Sequence, residues 1–361
     1  MELPLYLSPF LRRFPDHVES LLSGAVVGAT DGIWSVLQVA RGGEIFAPAA
    51  DLAPADRLRL VEGGFLVADP LAASHSSRLL YANIETCSVC NHRCGFCPVS
   101  WAPRPKEEMP QDLFERIVDQ VVEAGERGVS VFLNNYNEPT IDPLFLDRLR
   151  YLYSKGVPAA LLTNAAHLSA KLVDAMRELG QLRYLGVNLP AVDPARYREL
   201  HGTTDLARVL KNLDYIFAHE VAQESAFVVL GYGDADHDRD LEGLRERYGD
   251  RGWELKKFVV QSRSGLVTTS HPQTSRRRLH GCEQIGSRPL HHLHVVTSGK
   301  AIFCCQDYHE RYPVGDLRTQ SVREVLAGEE LAQLRRYVYG MDEAPDDFIC
   351  RKCEFALDDD G

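Results

Sequence analysis

Between residues 79 and 265, apolar runs of strand length alternate with amphipathic stretches of helix length. The alternation repeats about six times, the pattern of parallel βα units. The strand candidates are Leu79–Glu85, Ser130–Asn135, Ala159–Thr163, Tyr184–Leu189, Ala226–Leu230 and Leu255–Val260. The first helix candidate sets Leu113, Ile117 and Val121 four residues apart, with Val118 and Val122 beside them, so that one apolar stripe faces a sheet. Further helices are predicted over Pro143–Ser154, Leu168–Leu179, Asp205–His219 and Asp238–Tyr248. These units predict an α/β domain, either a partial (β/α)6 TIM barrel or an open doubly wound sheet, and in both the reactive face lies beyond the strand C-terminal ends.

The flanks read differently. In residues 1–78, Val26-Val27, Ile33–Val39, Ala55–Val61 and Phe65-Leu66-Val67 after Gly63-Gly64 predict a small winged-helix-like module. Residues 266–361 open on the polar stretch Gln273–His280, show little regular pattern and carry one predicted helix near Ser321–Val338. The expected domains are therefore 1–78, 79–265 and 266–361.

Composition narrows the function classes. The 361 residues hold 40 Lys+Arg and 51 Asp+Glu, a net charge of −11, with 45% apolar residues. An acidic chain without a basic block argues against nucleic acid or an anionic membrane as the main partner. No apolar stretch is long enough to span a bilayer, and the first residues lack the order of a secretion signal, so a cytoplasmic protein is expected. In that reducing compartment the nine cysteines need an account other than a disulfide framework.

Four cysteines (Cys87, Cys90, Cys94 and Cys97) lie in one short segment and five (Cys282, Cys304, Cys305, Cys350 and Cys353) lie far downstream, the distribution of metal ligands. Cys90, Cys94 and Cys97 form Cys-x3-Cys-x2-Cys in CNHRCGFC, directly after the first strand. Three thiolates around a four-iron cluster leave one iron open to bind another molecule, whereas a structural zinc wants four closed ligands, which Cys87 would complete. Asn134-Asn135-Tyr136-Asn137-Glu138-Pro139 follows the second strand, and Thr163-Asn164 and Asn188 end the third and fourth, so polar groups converge on the same face.

The CNHRCGFC loop, with aromatic Phe96 just before its last cysteine, the Asn-Glu-Pro turn and the sixfold βα pattern together resemble the radical S-adenosylmethionine (SAM) superfamily over roughly residues 80–265. The resemblance implies that Cys90, Cys94 and Cys97 hold a [4Fe-4S] cluster whose open iron binds SAM, and that a flavodoxin or ferredoxin supplies the electron that cleaves it. Asn137, Glu138 and Pro139 resemble the family's Gly-Gly-Glu-Pro turn for the SAM amino group, with Tyr136 and Asn137 in place of the glycines. Phe96, Thr163, Asn164, Asn188 and Arg263 are the remaining candidates for the SAM site, Arg263 through its planar fork.

Cys282, Cys304, Cys350 and Cys353, together with GKAIFCCQDY and the helix after it, resemble the twitch domain, a shortened SPASM extension that holds one auxiliary [4Fe-4S] cluster. Zinc is the alternative for four thiolates. Two cysteines are then left over, Cys87 and one of Cys304 and Cys305. We take Cys304 as the ligand and Cys305 and Cys87 as candidate hydrogen-atom donors, with packing as the other role for a spare thiol. His291, His292 and His294 are read as packing residues, because alternation splits them across a strand, and Arg276-Arg277-Arg278 as a solvated linker face.

The reaction expected is hydrogen abstraction from a sugar-like or aminocyclitol substrate, giving epimerisation or dehydrogenation. The alternatives are maturation of a ribosomally made precursor peptide recognised through the N-terminal module, and a non-catalytic iron–sulfur or zinc scaffold.

Overall fold

In a computed structural model, residues 4–34, 37, 52–269, 276 and 278–358 are described. Strands β6 (Tyr81–Ile84), β7 (Ser130–Phe132), β8 (Ala160–Thr163), β9 (Leu182–Asn188), β10 (Ala222–Gly231) and β11 (Glu254–Val259) pair in parallel, each beside the next in sequence. A doubly wound sheet reverses its strand order at a switch point, and this one does not, so the architecture is the partial barrel. The buried strands read as apolar runs because a parallel sheet is covered on both faces. The helix Gln111–Ala124 buries Ile117, Val118 and Val121 as expected, with Phe114 added, while Leu113 is partly buried and Val122 is 38% exposed.

The C-terminal segment continues the same sheet. β13 (His292–Val295) pairs in parallel with β6, and β14 (Lys300–Ile302) and β15 (Pro313–Asp316) follow antiparallel, so the barrel's first strand has no free edge. β12 (Leu279–Cys282) pairs with β16 (Ala356–Asp358) in a separate two-stranded ribbon. The single helix expected near Ser321–Val338 is two, Val322–Leu326 and Glu329–Val338, separated at Ala327-Gly328. Arg276 is not solvated: it pairs with Asp358 at 2.9 Å and donates to the carbonyls of Cys353 and Glu354. Arg277 and Gln273–Ser275 lie outside the described residues.

The N-terminal module has its own small core of Leu7, Leu11, Val18, Val27, Leu60, Phe65 and Leu66. It comprises a pair of β1 (Tyr6–Leu7) with β5 (Leu66–Val67), an antiparallel sheet of β2 (Leu11–Arg13), β3 (His17–Ser20) and β4 (Val26–Gly28), and the helix Pro54–Glu62. Val39, the end of an expected element, lies outside the described residues. Phe10 stacks edge-on against Tyr339 at 4.8 Å and His291 Nε2 lies 2.8 Å from the Leu21 carbonyl, contacts that seat the module on the C-terminal segment. Among the described residues no helix is long and apolar enough to cross a membrane.

Candidate functional site

The cysteine loop leaves the C-terminal end of β6 and is held from below by the helix Pro194–His201. Arg93 N donates to the His201 carbonyl at 3.1 Å and Gly95 N to the Leu200 carbonyl at 3.3 Å. Gly202 caps that helix with φ +65°, and a Cβ there would collide with the Arg93 backbone. Phe96 packs with Leu200, Val260 and Val267, and the partly exposed Cys94 and Cys97 pack against the same cluster.

Glu138 ties three of the strand ends together. Its backbone N–H donates to the Val89 carbonyl at 2.9 Å, and its buried carboxylate accepts from Thr140 Oγ1 (2.6 Å), Thr140 N (3.2 Å), Thr163 Oγ1 (2.7 Å) and Asn164 N (2.8 Å). Four donors match the lone pairs of a carboxylate, and burial, opposed by these bonds, still raises its pKa. Asn164 Nδ2 also donates to Asn91 Oδ1 at 2.9 Å and lies 4.0 Å from the Cys90 sulfur. Asn137 replaces a glycine without strain: neither it nor Tyr136 has a positive φ, and its side chain closes the turn by accepting from Asn135 N and donating to the Leu133 carbonyl. Pro139 opens the short 3-10 turn that Glu138 caps. Cys87 is 0% exposed and packed against the Asn137 amide and the carbonyls of Val89 and Glu138, and burial pushes its thiol up to about 11. The structure does not bring it to the barrel mouth.

Several buried polar atoms at the strand ends have no hydrogen-bond partner: Asn83 Oδ1, Glu85 Oε2, Asn134 Oδ1, both amide atoms of Asn135, Asn188 Oδ1 and Gln306 Oε1. An unpaired buried acceptor is costly, so this set fits a ligand carrying several donors, as the amino group, ribose hydroxyls and adenine amine of SAM do. The Tyr136 hydroxyl donates to the Cys305 carbonyl, and its N–H to Glu85 Oε1 at 3.1 Å. Arg104, paired with Glu85 and Glu310, lies over Tyr308 at 5.0 Å, and Arg263, with φ +51°, lies over Tyr136 at 5.8 Å. Arg263 thus lies between the two cysteine sets, within the field of Cys97 and Cys305.

All nine cysteines are free thiols. Burial pushes Cys90 and Cys353 each up to about 12 and raises Cys94, Cys97, Cys282 and Cys350, so each needs a cation to become a thiolate. Cys305 goes the other way, lowered by the Cys304 hydrogen bond and then by the Arg288 and Arg263 guanidiniums.

Among the described residues, the sets of three ligand atoms within 4.8 Å of one another are His92, Cys94 and His201, and His294, Cys304 and Cys305. His294, read from sequence as packing, is fully buried beside Cys304 and Cys305 with both ring nitrogens unpartnered; those of His292, which stacks on Tyr81 and His294, are unpartnered too, while His291 bonds the Leu21 carbonyl.

Sequence reasoning missed Glu85, Arg104, Arg288, His92 and His201. Glu85 had a signal, a carboxylate at the end of the first strand one turn before the cysteines. His92 lies within the cysteine loop itself, and the others are brought in by tertiary contacts alone.

Residues 84–244 match the family described as the Radical SAM superfamily, and residues 282–354 match SPASM, an iron–sulfur cluster-binding domain. A curated relative, the tungsten-containing aldehyde ferredoxin oxidoreductase cofactor-modifying protein of Pyrococcus furiosus, is 29% identical over 100 residues, 28% of this chain and 28% of that relative's length. Among solved structures, Streptococcus suis SuiB bound to precursor peptide SuiA has a TM-score of 0.61 at 13% identity, covering 98% of this chain and 92% of SuiB. BtrN in complex with AdoMet and 2-DOIA has a TM-score of 0.51 at 15% identity, covering 76% of this chain and 93% of BtrN. With the cysteine loop at the mouth of a six-stranded parallel partial barrel and a second cysteine set beyond it, this chain carries a domain of the radical SAM superfamily followed by a SPASM-type iron–sulfur domain.

Proposed function

We propose that the enzyme abstracts a hydrogen atom from a carbon bearing a hydroxyl or amine on a sugar-like or aminocyclitol substrate, giving epimerisation or dehydrogenation. Cys90, Cys94 and Cys97 hold the SAM-binding cluster, and Cys282, Cys350, Cys353 and one of Cys304 and Cys305 hold a second. When bound, the cluster and SAM supply a 5′-deoxyadenosyl radical as the hydrogen abstractor.

The observation that carries the reading is the polar ground between the two cysteine sets. Arg263 and Tyr136 lie between the two cysteine sets, next to Cys305 of the second, and the unpartnered buried acceptors that SAM does not use suit a ligand rich in hydroxyls or amines. Glu138, Thr163 and Asn164 lock the three strand ends beside Cys90, and Asn188 offers an acceptor from the fourth. Epimerisation needs a hydrogen atom returned to the substrate carbon from a thiol, leaving a sulfur radical to be reduced again by the electron donor. Dehydrogenation needs instead the loss of a further electron and a proton. The unligated member of the Cys304–Cys305 pair is the thiol placed for the first outcome; Cys87 is enclosed.

A second reading, maturation of a precursor peptide, is favoured by the fold likeness to SuiB, which extends over 98% of the chain and so includes the N-terminal module, whereas the BtrN likeness covers 76%.

The test is anaerobic reconstitution with SAM, reductant and two panels, aminocyclitols and sugars in one and peptides in the other. Deoxyadenosine formation stimulated by the first panel supports the small-molecule reading, and stimulation by peptides alone replaces it with the second. For the stereochemical outcome, products are formed in deuterated water by wild type, Cys304→Ala and Cys305→Ala. Loss of deuterium incorporation in one variant identifies the donor, and unchanged incorporation in both removes a cysteine donor from the account.

A further inference from the structure

His201 ends the helix beneath the cysteine loop and is 0% exposed, with both ring nitrogens unpartnered. A neutral imidazole carries one N–H, which must find an acceptor when buried. Two acceptors are at hand, the unpartnered Nδ1 of His92 and the Cys94 sulfur, and a cluster-bound thiolate carries the negative charge that makes it the stronger of the two. Tyr197 lies at 4.7 Å between ring centroids, His92 at 4.9 Å and Phe96 at 6.2 Å, so the ring is boxed by aromatic groups. Cys94 Sγ is the one sulfur in the set of ligand atoms that lie within 4.8 Å of one another, with a nitrogen of His201 and one of His92. His92 is itself positioned: its Nε2 lies 3.3 Å from the Asp205 carboxylate, which also accepts from Tyr197 and Arg208. The His201 backbone carbonyl accepts from Arg93 N at 3.1 Å, so ring and loop are fixed to each other.

We infer that His201 donates an N–H···S hydrogen bond to the Cys94 sulfur of the SAM-binding cluster and thereby makes that cluster easier to reduce. The inference rests on the proposed ligation by Cys90, Cys94 and Cys97. Hydrogen bonds to ligand sulfurs are one of the levers on a cluster's potential, because a donor dipole stabilises the charge that reduction adds. His201 is a positioning residue: it acts through Cys94 and touches neither SAM nor substrate.

The test uses the full-length protein, reconstituted with iron and sulfide and labelled with 15N-histidine. The cluster signal that changes on adding SAM identifies the first site. In wild type without SAM, pulsed electron paramagnetic resonance of that reduced cluster is expected to show a 15N-histidine coupling, lost in His201→Phe. At the poise where the wild-type cluster is half reduced, His201→Phe should show its reduced-to-oxidised ratio lowered about tenfold, ~59 mV for one electron. His201→Gln, which keeps an N–H donor, should lose the 15N coupling and recover most of the potential. If His201→Phe does not retain iron, wild type and His201→Gln decide by the same criteria. Absence of the coupling in wild type, or coupling and potential unchanged in the variants, overturns the inference. The underlying reading fails differently, through the absence of any SAM-responsive cluster that depends on Cys94.

Discussion

The two cysteine sets of this protein are built by opposite means. The first is a single loop at the end of β6, with three and then two residues between its cysteines and its supports, Glu138, Asn164 and the helix Pro194–His201, drawn from the barrel around it. The second is assembled from β12, the segment after β14 and the 3-10 turn Ile349–Lys352, with Arg288 and His294 among the thiols. A contiguous loop fixes its ligands whatever the distant chain does, and leaves a side open. A dispersed set exists only when β12, β14 and the C-terminal turn are packed together. The first is therefore suited to binding a small molecule, and the second to holding its core closed and stable.

The strongest way to break the comparison is to remove one ligand from each set. Cys94→Ser is expected to abolish deoxyadenosine formation altogether while retaining about four of eight irons, measured by iron and sulfide assay with product chromatography. Cys353→Ser should lose a similar share of iron, yet still cleave SAM without substrate turnover. Because its set spans several segments, it should also unfold at lower denaturant than Cys94→Ser.

The contrast between the sets also marks how much was legible. The barrel strands and the Cys-x3-Cys-x2-Cys loop could be read because both are local signals, apolar runs for strands buried on two faces and a fixed ligand spacing. The helix Pro194–His201 was not read, since Pro-Ala-Arg-Tyr-Arg-Glu-Leu-His buries only Tyr197, Leu200 and His201 and shows little amphipathic contrast. The short N-terminal strands Leu11–Arg13 and His17–Ser20 carry too many polar residues to signal themselves. Arg276 looked like part of a basic linker, and only the fold reveals that its partner is Asp358. The assignment between Cys304 and Cys305 was beyond the sequence for the same reason: the two sulfurs lie together beside His294.

Three smaller effects sharpen the account of the first site. Glu138→Gln places amide hydrogens against four donors, and should lower stability by about 1–3 kcal/mol in denaturant unfolding and weaken SAM binding in equilibrium dialysis. Gly202→Ala forces a left-handed conformation on a residue with a Cβ, costing about 1–2 kcal/mol, and by pushing on Arg93 should reduce iron retention in the first site only. Tyr136→Phe removes one hydrogen bond to the Cys305 carbonyl, about 0.5–1.5 kcal/mol, and its effect should appear in substrate turnover more than in SAM cleavage.

The most direct test of the central claim, that the two sets hold separate clusters of which only the first cleaves SAM, is to count iron and deoxyadenosine in the same anaerobic samples of wild type, Cys94→Ser and Cys353→Ser. The account predicts about eight, four and four irons, with deoxyadenosine from wild type and Cys353→Ser alone. Zinc in place of iron, or deoxyadenosine from Cys94→Ser, would contradict it.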